Sequence, residues 1–166
     1  MPNMKYCPLC GRHLTKGIAG VRERLMCGLE GCDYVRWDNP VPVVAAIVEH
    51  EGRIVLARNK EWPEKMFGLI TGFLERDESP EEGVLREVQE ELGLQAHIED
   101  FIGVYANTRL NQLIVAYHVL AEGEITLGEE LVEFKLFLPE KLKPWPFGTG
   151  FAVRDWLKRK GLDQGK

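Results

Sequence analysis

The chain has 166 residues, which is enough for one domain with a substantial core but too few for two full domains. Its net charge of −5 argues against a surface that wraps a nucleic acid, whereas a pyrophosphate substrate is compatible if metal ions supply positive charge locally. The N-terminal stretch MPNMKYCPLC lacks the apolar region of a targeting segment, and the longest apolar run, residues 41–48, is far too short to span a membrane. We therefore expect a cytoplasmic protein without a membrane partner.

Four cysteines lie in two close pairs near the N-terminus. One pair is C-x2-C, the other is C-x4-C, and sixteen residues separate the pairs. Four thiolates at this spacing suit tetrahedral Zn²⁺, and the Cys-Pro-x-Cys-Gly start resembles a zinc-ribbon knuckle. The alternative is two cysteine pairs without metal, but a disulfide scaffold would usually spread its cysteines through the chain. The predicted zinc ligands are Cys7, Cys10, Cys27 and Cys32.

Two strands are predicted over residues 41–50 and 52–59, after a linker at 37–41. The first is nearly continuous in apolar residues, as is typical of a strand buried on both faces. Arg58 ends the second strand and is either a solvated edge charge or a phosphate contact. A loop and a short strand follow over 61–73, where Trp62 is the candidate for stacking on a base and Phe67 is expected to pack in the core.

A helix is predicted over residues 80–92, with clear signals at both ends. Ser79 is a good N-cap, Pro80 suits the first helical position, and Glu82 completes a capping box. Gly93 stands where a left-handed C-terminal cap belongs. An apolar stripe, expected to face the sheet, consists of Val84, Leu85, Val88 and Leu92.

Three further strands are predicted over 97–107, 112–122 and 132–139. The chain then closes with an amphipathic helix over 149–160, whose basic last turn complements the helix dipole. Just before this helix lies a Pro-Trp-Pro-Phe sequence, in which we expect Trp145 and Phe147 to anchor the helix.

The helix over 80–92 carries an unusual concentration of negative charge on one face. Glu87, Glu90 and Glu91 are spaced i, i+3, i+4, so their side chains project from the same side and repel one another. A solvated helix face would offer basic partners, but Arg86 is the one lysine or arginine between positions 78 and 99. Carboxylates alone select hard cations, Mg²⁺ or Mn²⁺, which clamp phosphates and activate water. The pattern therefore predicts metal-assisted hydrolysis of a phosphoanhydride.

The stretch from Gly72 to Leu94 resembles the Nudix box, G-x5-E-x7-R-E-U-x-E-E-x-G-U, at every fixed position. The resemblance implies an α/β fold, the Nudix α/β/α sandwich around a mixed sheet, here preceded by a small zinc ribbon. It also implies Mg²⁺-dependent hydrolysis of a nucleoside diphosphate linked to another moiety, with a box glutamate as the base. The implied catalytic residues are Arg86 with the three Mg²⁺ ligands Glu87, Glu90 and Glu91, and Glu78 would help Arg86 to hold the loop and helix together.

A four-cysteine ribbon ahead of such a domain is similar to two Nudix subgroups, the ADP-ribose/FAD pyrophosphatases and the NADH pyrophosphatases. The second subgroup carries Ser-Gln-Pro-Trp-Pro-Phe soon after the box, and this chain does not, so ADP-ribose or FAD is the first expectation and NADH or NAD the alternative. The segment 129–142 resembles a region of ADP-ribose-type enzymes in which an acid reaches the metal. The candidate extra acids are therefore Glu130, Glu133 and Glu78, and the candidate substrate contacts are Arg58 and Trp62.

A second hypothesis is a binding module, since zinc ribbons also occur in RNA-contacting proteins and some Nudix domains bind nucleotides without hydrolysis. The net negative charge argues against binding of nucleic acid, because contacts with backbone phosphates require clustered lysine and arginine. We expect a zinc ribbon at 1–36 and a Nudix domain at 37–166. By resemblance, we also expect a homodimer that acts on a small nucleotide.

Overall fold

The computed structural model describes residues 4–162, which form two compact units that divide between Asn39 and Pro40. The first unit is a three-stranded antiparallel sheet of β1 (Leu14–Ala19), β2 (Arg22–Cys27) and β3 (Val35–Arg36), in that order. Its small core consists of two of the cysteines and Leu14, with Leu25, Leu29 and Tyr34 packed against them. Such a core is too small to stabilise a fold alone, which is typical of metal-dependent domains.

The second unit contains a six-stranded mixed sheet and two α-helices. Its elements in chain order are β4 (Val41–His50), β5 (Arg53–Asn59), β6 (Ile70–Phe73), α1 (Pro80–Leu92), β7 (Gln95–Asn107), β8 (Gln112–Glu122), β9 (Leu131–Phe137), a 3₁₀ turn (Pro139–Lys141) and α2 (Gly150–Arg159). The strand order is β7-β8-β4-β5-β9, and β6 pairs with the first half of β4. The β4–β8 pair is parallel and the other pairs are antiparallel.

Alternation along β4 sends its side chains to both faces of the sheet, and each face is covered by one helix. Val44, Ala46 and Val48 pack with the apolar stripe of α1, including Val88 and Leu92. The opposite face of β4 packs with α2 through Val43, Ala45, Ile47, Val153 and Trp156. These layers confirm the predicted α/β/α sandwich around a mixed sheet.

Helix α1 begins and ends where its sequence signals predict. Glu82 N–H donates to the Ser79 hydroxyl at 3.2 Å, and Ser79 N–H donates to the Glu82 carboxylate at 2.8 Å. Gly93 adopts the left-handed conformation, with φ of 68°. The helix is therefore held in one register, which fixes where its acidic residues project.

The segment before α2 differs from its prediction. Trp145 is partly buried and packs against the core on the α2 face, as expected. Phe147, in contrast, is 57% exposed and does not anchor the helix. The chain turns at Gly148, directly after Phe147, with a φ of 52°. Neither α-helix within residues 4–162 is long and apolar enough to cross a membrane.

Candidate functional site

Arg86 lies at the centre of the acidic site and binds three of its carboxylates. Its Nε and Nη2 donate to the two oxygens of Glu78 at 3.0 and 2.8 Å. Its Nη1 donates to Glu87 at 2.8 Å and to Glu90 at 3.0 Å, and Nη2 also reaches the carbonyl of Phe73 at 3.1 Å. One guanidinium therefore ties the end of β6 and the loop after it to the acidic face of α1.

The remaining carboxylate, Glu91, has no ion-pair partner in the part of the chain that the structure describes. Burial, followed by the negative charges of Glu87, Glu130 and Glu90, raises the pKa of Glu91 to about 8. Burial also raises the pKa of Glu87 above its ordinary value, although Arg86 opposes this. The site thus holds more negative charge than its arginine neutralises, which favours a cation there.

Gly72 makes room for one of these acids. It lies in β6, paired with Val44, on the sheet face that α1 covers. A Cβ at this position would overlap the carboxylate of Glu87, far inside the 3.0 Å that real Cβ atoms keep. The first glycine of the box therefore leaves space for the Glu87 side chain against the strand.

The loop between β8 and β9 brings a second acidic segment to the site. Thr126 N–H donates to the carbonyl of Leu92, and Gly128 N–H donates to that of Glu91, both at 2.9 Å. These bonds cap the end of α1 and place Glu129 and Glu130 beside its acidic face. Glu130 is predicted from the sequence, whereas Glu129 and the anchoring role of Gly128 are not, because both depend on how the loop docks on α1.

The acidic face opens into a cleft of about 550 Å³. Its walls include the predicted Mg²⁺ ligands Glu87, Glu90 and Glu91 together with Arg86 and Glu130. Their carboxylate oxygens are a hard donor set that fits Mg²⁺ or Mn²⁺. Within residues 4–162, the four cysteines are the one group of histidine, cysteine and acidic residues whose ligand atoms converge enough to hold a metal ion, whereas the carboxylates of Glu87 and Glu90 pair with Arg86.

A second cavity, of about 770 Å³, adjoins the acidic cleft on the α2 face of the sheet. Four residues line both spaces: Val43, Thr71, Phe73 and Gln112. Its other walls include four aromatic side chains from two separate loops: Trp62, Phe67, Trp145 and Phe147. Gly68 lets the indole of Trp62 lie against the backbone, since a Cβ there would be 3.0 Å from the ring. Trp62 lines this cavity, and its role in stacking on a base stays a prediction.

Two other predicted residues lie apart from both spaces. Arg58 donates to Glu133 at 3.3 Å across the β5–β9 pair, and its side chain is only 18% exposed. Neither residue lines the acidic cleft or the aromatic cavity. Arg58 and Glu133 therefore form an ion pair with each other at the edge of the sheet.

The four cysteines of the first unit form a separate metal-binding geometry. Their sulfur atoms lie within 4.8 Å of one another, with Cys7 Sγ 3.8 Å from Cys32 Sγ and Cys10 Sγ 3.5 Å from Cys27 Sγ. Tetrahedral Zn²⁺ with bonds of about 2.3 Å needs sulfur atoms roughly 3.8 Å apart, so the cluster fits zinc. Gly11 follows the first pair with a φ of 70°, as a knuckle requires.

Comparisons with known proteins agree with this geometry. A family model of the NUDIX domain matches residues 38–156. NAD-capped RNA hydrolase NudC of Mycobacterium tuberculosis is 41% identical over 120 residues, and the match covers 69% of this chain but only 36% of that relative. This chain therefore spans little more than a third of that relative's length.

Solved structures show the same fold at lower identity. A NUDIX hydrolase from Nitrosomonas europaea has a TM-score of 0.78 at 23% identity, covering 95% of this chain and 94% of that one. An ADP-ribose pyrophosphatase from Streptococcus suis has a TM-score of 0.61 at 20% identity, and the match covers 77% of this chain and 97% of that one. Because the family model covers most of the chain and the motif from Gly72 to Leu94, the chain carries a Nudix hydrolase domain and belongs to the NUDIX family.

Proposed function

We propose that this protein hydrolyses the pyrophosphate bond of a nucleoside diphosphate linked to another moiety, with Mg²⁺ or Mn²⁺ as the metal cofactor. The observation that carries the proposal is the junction of the two spaces at Phe73 and Gln112. A pyrophosphate with its metal fits the acidic cleft, while a planar ring fits the aromatic cavity beside it. Both are needed to hold a ring-bearing nucleotide across its phosphate bridge.

Each group of the acidic cleft has a distinct role in this reaction. Glu87, Glu90 and Glu91 would hold the metal, which would neutralise the phosphates and activate water. A glutamate that is not coordinated takes the proton of the attacking water. The water oxygen bonds to one phosphorus while the bridging P–O bond breaks, and two phosphomonoesters leave. Arg86 orients the carboxylates and does not need to contact the substrate.

Two substrate groups are candidates. ADP-ribose or FAD follows from the resemblance to the ADP-ribose/FAD subgroup, and the solved ADP-ribose pyrophosphatase supports the fold of such an enzyme. NAD or NADH gains support from the 41% identity to a NAD-capped RNA hydrolase. The Pro-Trp-Pro-Phe sequence lines the aromatic cavity through Trp145 and Phe147, so it contributes to ring binding from a different place in the chain.

The decisive experiment is product analysis on NADH, NAD, ADP-ribose, FAD and NAD-capped RNA side by side with Mg²⁺. We expect two phosphomonoesters from at least one of them and no reaction in excess EDTA. The Glu90→Gln/Glu91→Gln double variant should lose the activity, while Glu140→Gln, an exposed acid on the 3₁₀ turn, should keep it. Full activity in the double variant would refute the assignment of the site, and a chain that binds these nucleotides without cleaving any would be a binding module.

Three organisational features belong to the same proposal. We propose that residues 1–36 form a zinc ribbon, that residues 37–166 form the hydrolase domain, and that the protein is a homodimer. One zinc per chain by elemental analysis and a doubled mass by light scattering are the expected results. Less than half an equivalent of zinc would contradict the first of these.

A further inference from the structure

The first unit contains a cleft that the proposed hydrolysis does not use. Its volume is about 420 Å³, within the range of small-molecule sites. The cleft lies along β2 and β3 and continues into the two residues after β3. Its walls carry four basic side chains, two acids and one indole: Lys16, Arg22, Arg24, Arg36, Glu23, Asp38 and Trp37.

Charge is distributed unevenly along the chain. Residues 1–39 contain six lysines and arginines and four acids, a formal charge of +2 within a chain of −5. Zinc thiolates would add negative charge, but Cys27 lies at the opposite end of β2 from Arg22. Five residue steps along the strand put Arg22 roughly 16 Å from Cys27, which exceeds the screening length of about 8 Å at physiological salt. The cleft is therefore locally positive in an acidic protein.

Two of the arginines in the cleft are not neutralised by its acids. Lys16 pairs with Glu23 at 2.7 Å, and Arg36 pairs with Asp38 at 3.0 Å. Arg22 is exposed and has no ion pair among the residues that the structure describes. Arg24 likewise has no carboxylate partner within residues 4–162; it donates to a backbone carbonyl, and its Nε is buried without a hydrogen-bond acceptor there.

Trp37 places an aromatic face beside these charges. The guanidinium of Arg24 lies 4.9 Å from the ring centroid, and the same arginine donates a hydrogen bond to the Trp37 carbonyl. The arginine therefore orients the indole. The residue is nevertheless 53% exposed, so much of its surface is accessible to a ligand.

We propose that this cleft binds single-stranded RNA, with backbone phosphates at Arg22 and Arg24 and a base stacked on Trp37. Guanidinium groups form charge-assisted hydrogen bonds with phosphate oxygens, and an aromatic face accepts any base. Glu23 and Asp38 in the walls disfavour an anionic membrane surface, which would require a broad basic face. The binding does not depend on hydrolysis, because every residue involved lies between positions 16 and 38.

The test measures binding of a fluorescent twelve-nucleotide oligouridylate to the full-length, zinc-loaded protein by anisotropy. Affinity should fall with salt, with a log–log slope of about −0.7 for each phosphate neutralised. Trp37→Ala should weaken binding on the order of tenfold, while Trp37→Phe should retain most of it. Arg22→Gln should weaken binding severalfold and reduce the slope by about 0.7. Arg53→Gln, an exposed arginine on β5, is the matched control and should bind like the wild type.

Several results would overturn the proposal. One is RNA binding that does not respond to salt, and another is wild-type affinity in both the Trp37→Ala and Arg22→Gln variants. Uridine monophosphate that competes as strongly as the oligonucleotide would identify a free-nucleotide site instead. Zinc content and circular dichroism verify folding. Because Arg22 is exposed, its variant keeps the test valid if Trp37→Ala does not fold. Hydrolysis of free dinucleotides should be unchanged in every variant, which separates this proposal from the proposed function.

Discussion

Replacing Gly72 by alanine should inactivate the acidic site while leaving the domain folded. Gly72 has ordinary strand geometry in β6, so its backbone tolerates an alanine. The added Cβ would overlap the Glu87 carboxylate, which must then move by at least about 1 Å to restore normal separation. The substitution therefore displaces the Glu87 side chain, while residue 87 remains a glutamate.

The expected effects on activity and on stability differ widely. A displacement of about 1 Å in a catalytic group can cost on the order of 100-fold in kcat. Loss of the Glu87–Arg86 hydrogen bond costs about 1.5–3 kcal/mol at most, because Arg86 keeps Glu78 and Glu90. Alanine in place of glycine in a strand adds roughly 0.5–1 kcal/mol to the unfolding free energy. The net loss of unfolding free energy should thus stay below about 2.5 kcal/mol.

The assay is phosphatase-coupled phosphate release on the best substrate, together with urea unfolding. Gly28→Ala is the matched control, since a Cβ there meets only the Thr15 hydroxyl at 3.6 Å. Because the clash acts through Glu87, Gly72→Ala should cause little further loss in a Glu87→Gln background. A Gly72→Ala protein with kcat within twofold of the wild type would refute this account of the box glycine.

Three further predictions concern other parts of the molecule. Gly128→Ala should lower kcat, because its Cβ would overlap the carbonyl of Glu90 and move the acidic loop off α1; unchanged kinetics would contradict this. Cys10→Ser should reduce bound zinc and lower the unfolding temperature of the ribbon, as measured by elemental analysis and calorimetry. The hydrogen bonds from Arg86 lower the pKa of Glu78 to about 2 from an ordinary 4.5, so its stabilisation is present above pH 4.5 and is lost as pH falls towards 2. The difference in urea stability between wild type and Glu78→Gln should therefore shrink from pH 5 to pH 3.

The features that were predictable from sequence are those with local physical causes. The capping box at Ser79 and Glu82 and the C-cap at Gly93 depend only on residues within one turn, so the limits of α1 were predicted correctly. The cysteine spacing was equally informative, since ligands that share one metal must converge wherever the chain leads them. The strands followed from apolar runs, although β7 begins at Gln95, two residues earlier than expected.

The features that sequence could not give depend on contacts between distant segments. The aromatic cavity combines Trp62 with Trp145 and Phe147, more than eighty positions away, and neither loop shows that the other will face it. For Arg58, the sequence left open a solvated edge charge or a phosphate contact, whereas pairing of β5 with β9 places Glu133 opposite it. Tertiary pairing, and not local propensity, determined these outcomes.

The parallel pairing of β4 with β8 has a consequence for how the chain acquires its structure during synthesis. The first ribbon strands pair within Leu14–Cys27, so zinc can complete that unit as soon as the last cysteine is available. In contrast, one edge of β4, a strand with apolar residues on both faces, stays unpaired until β8 is synthesised, about 70 residues later. Nascent chains that stop before β8 should therefore be prone to aggregation and to recognition by chaperones, whereas the ribbon should already resist proteolysis.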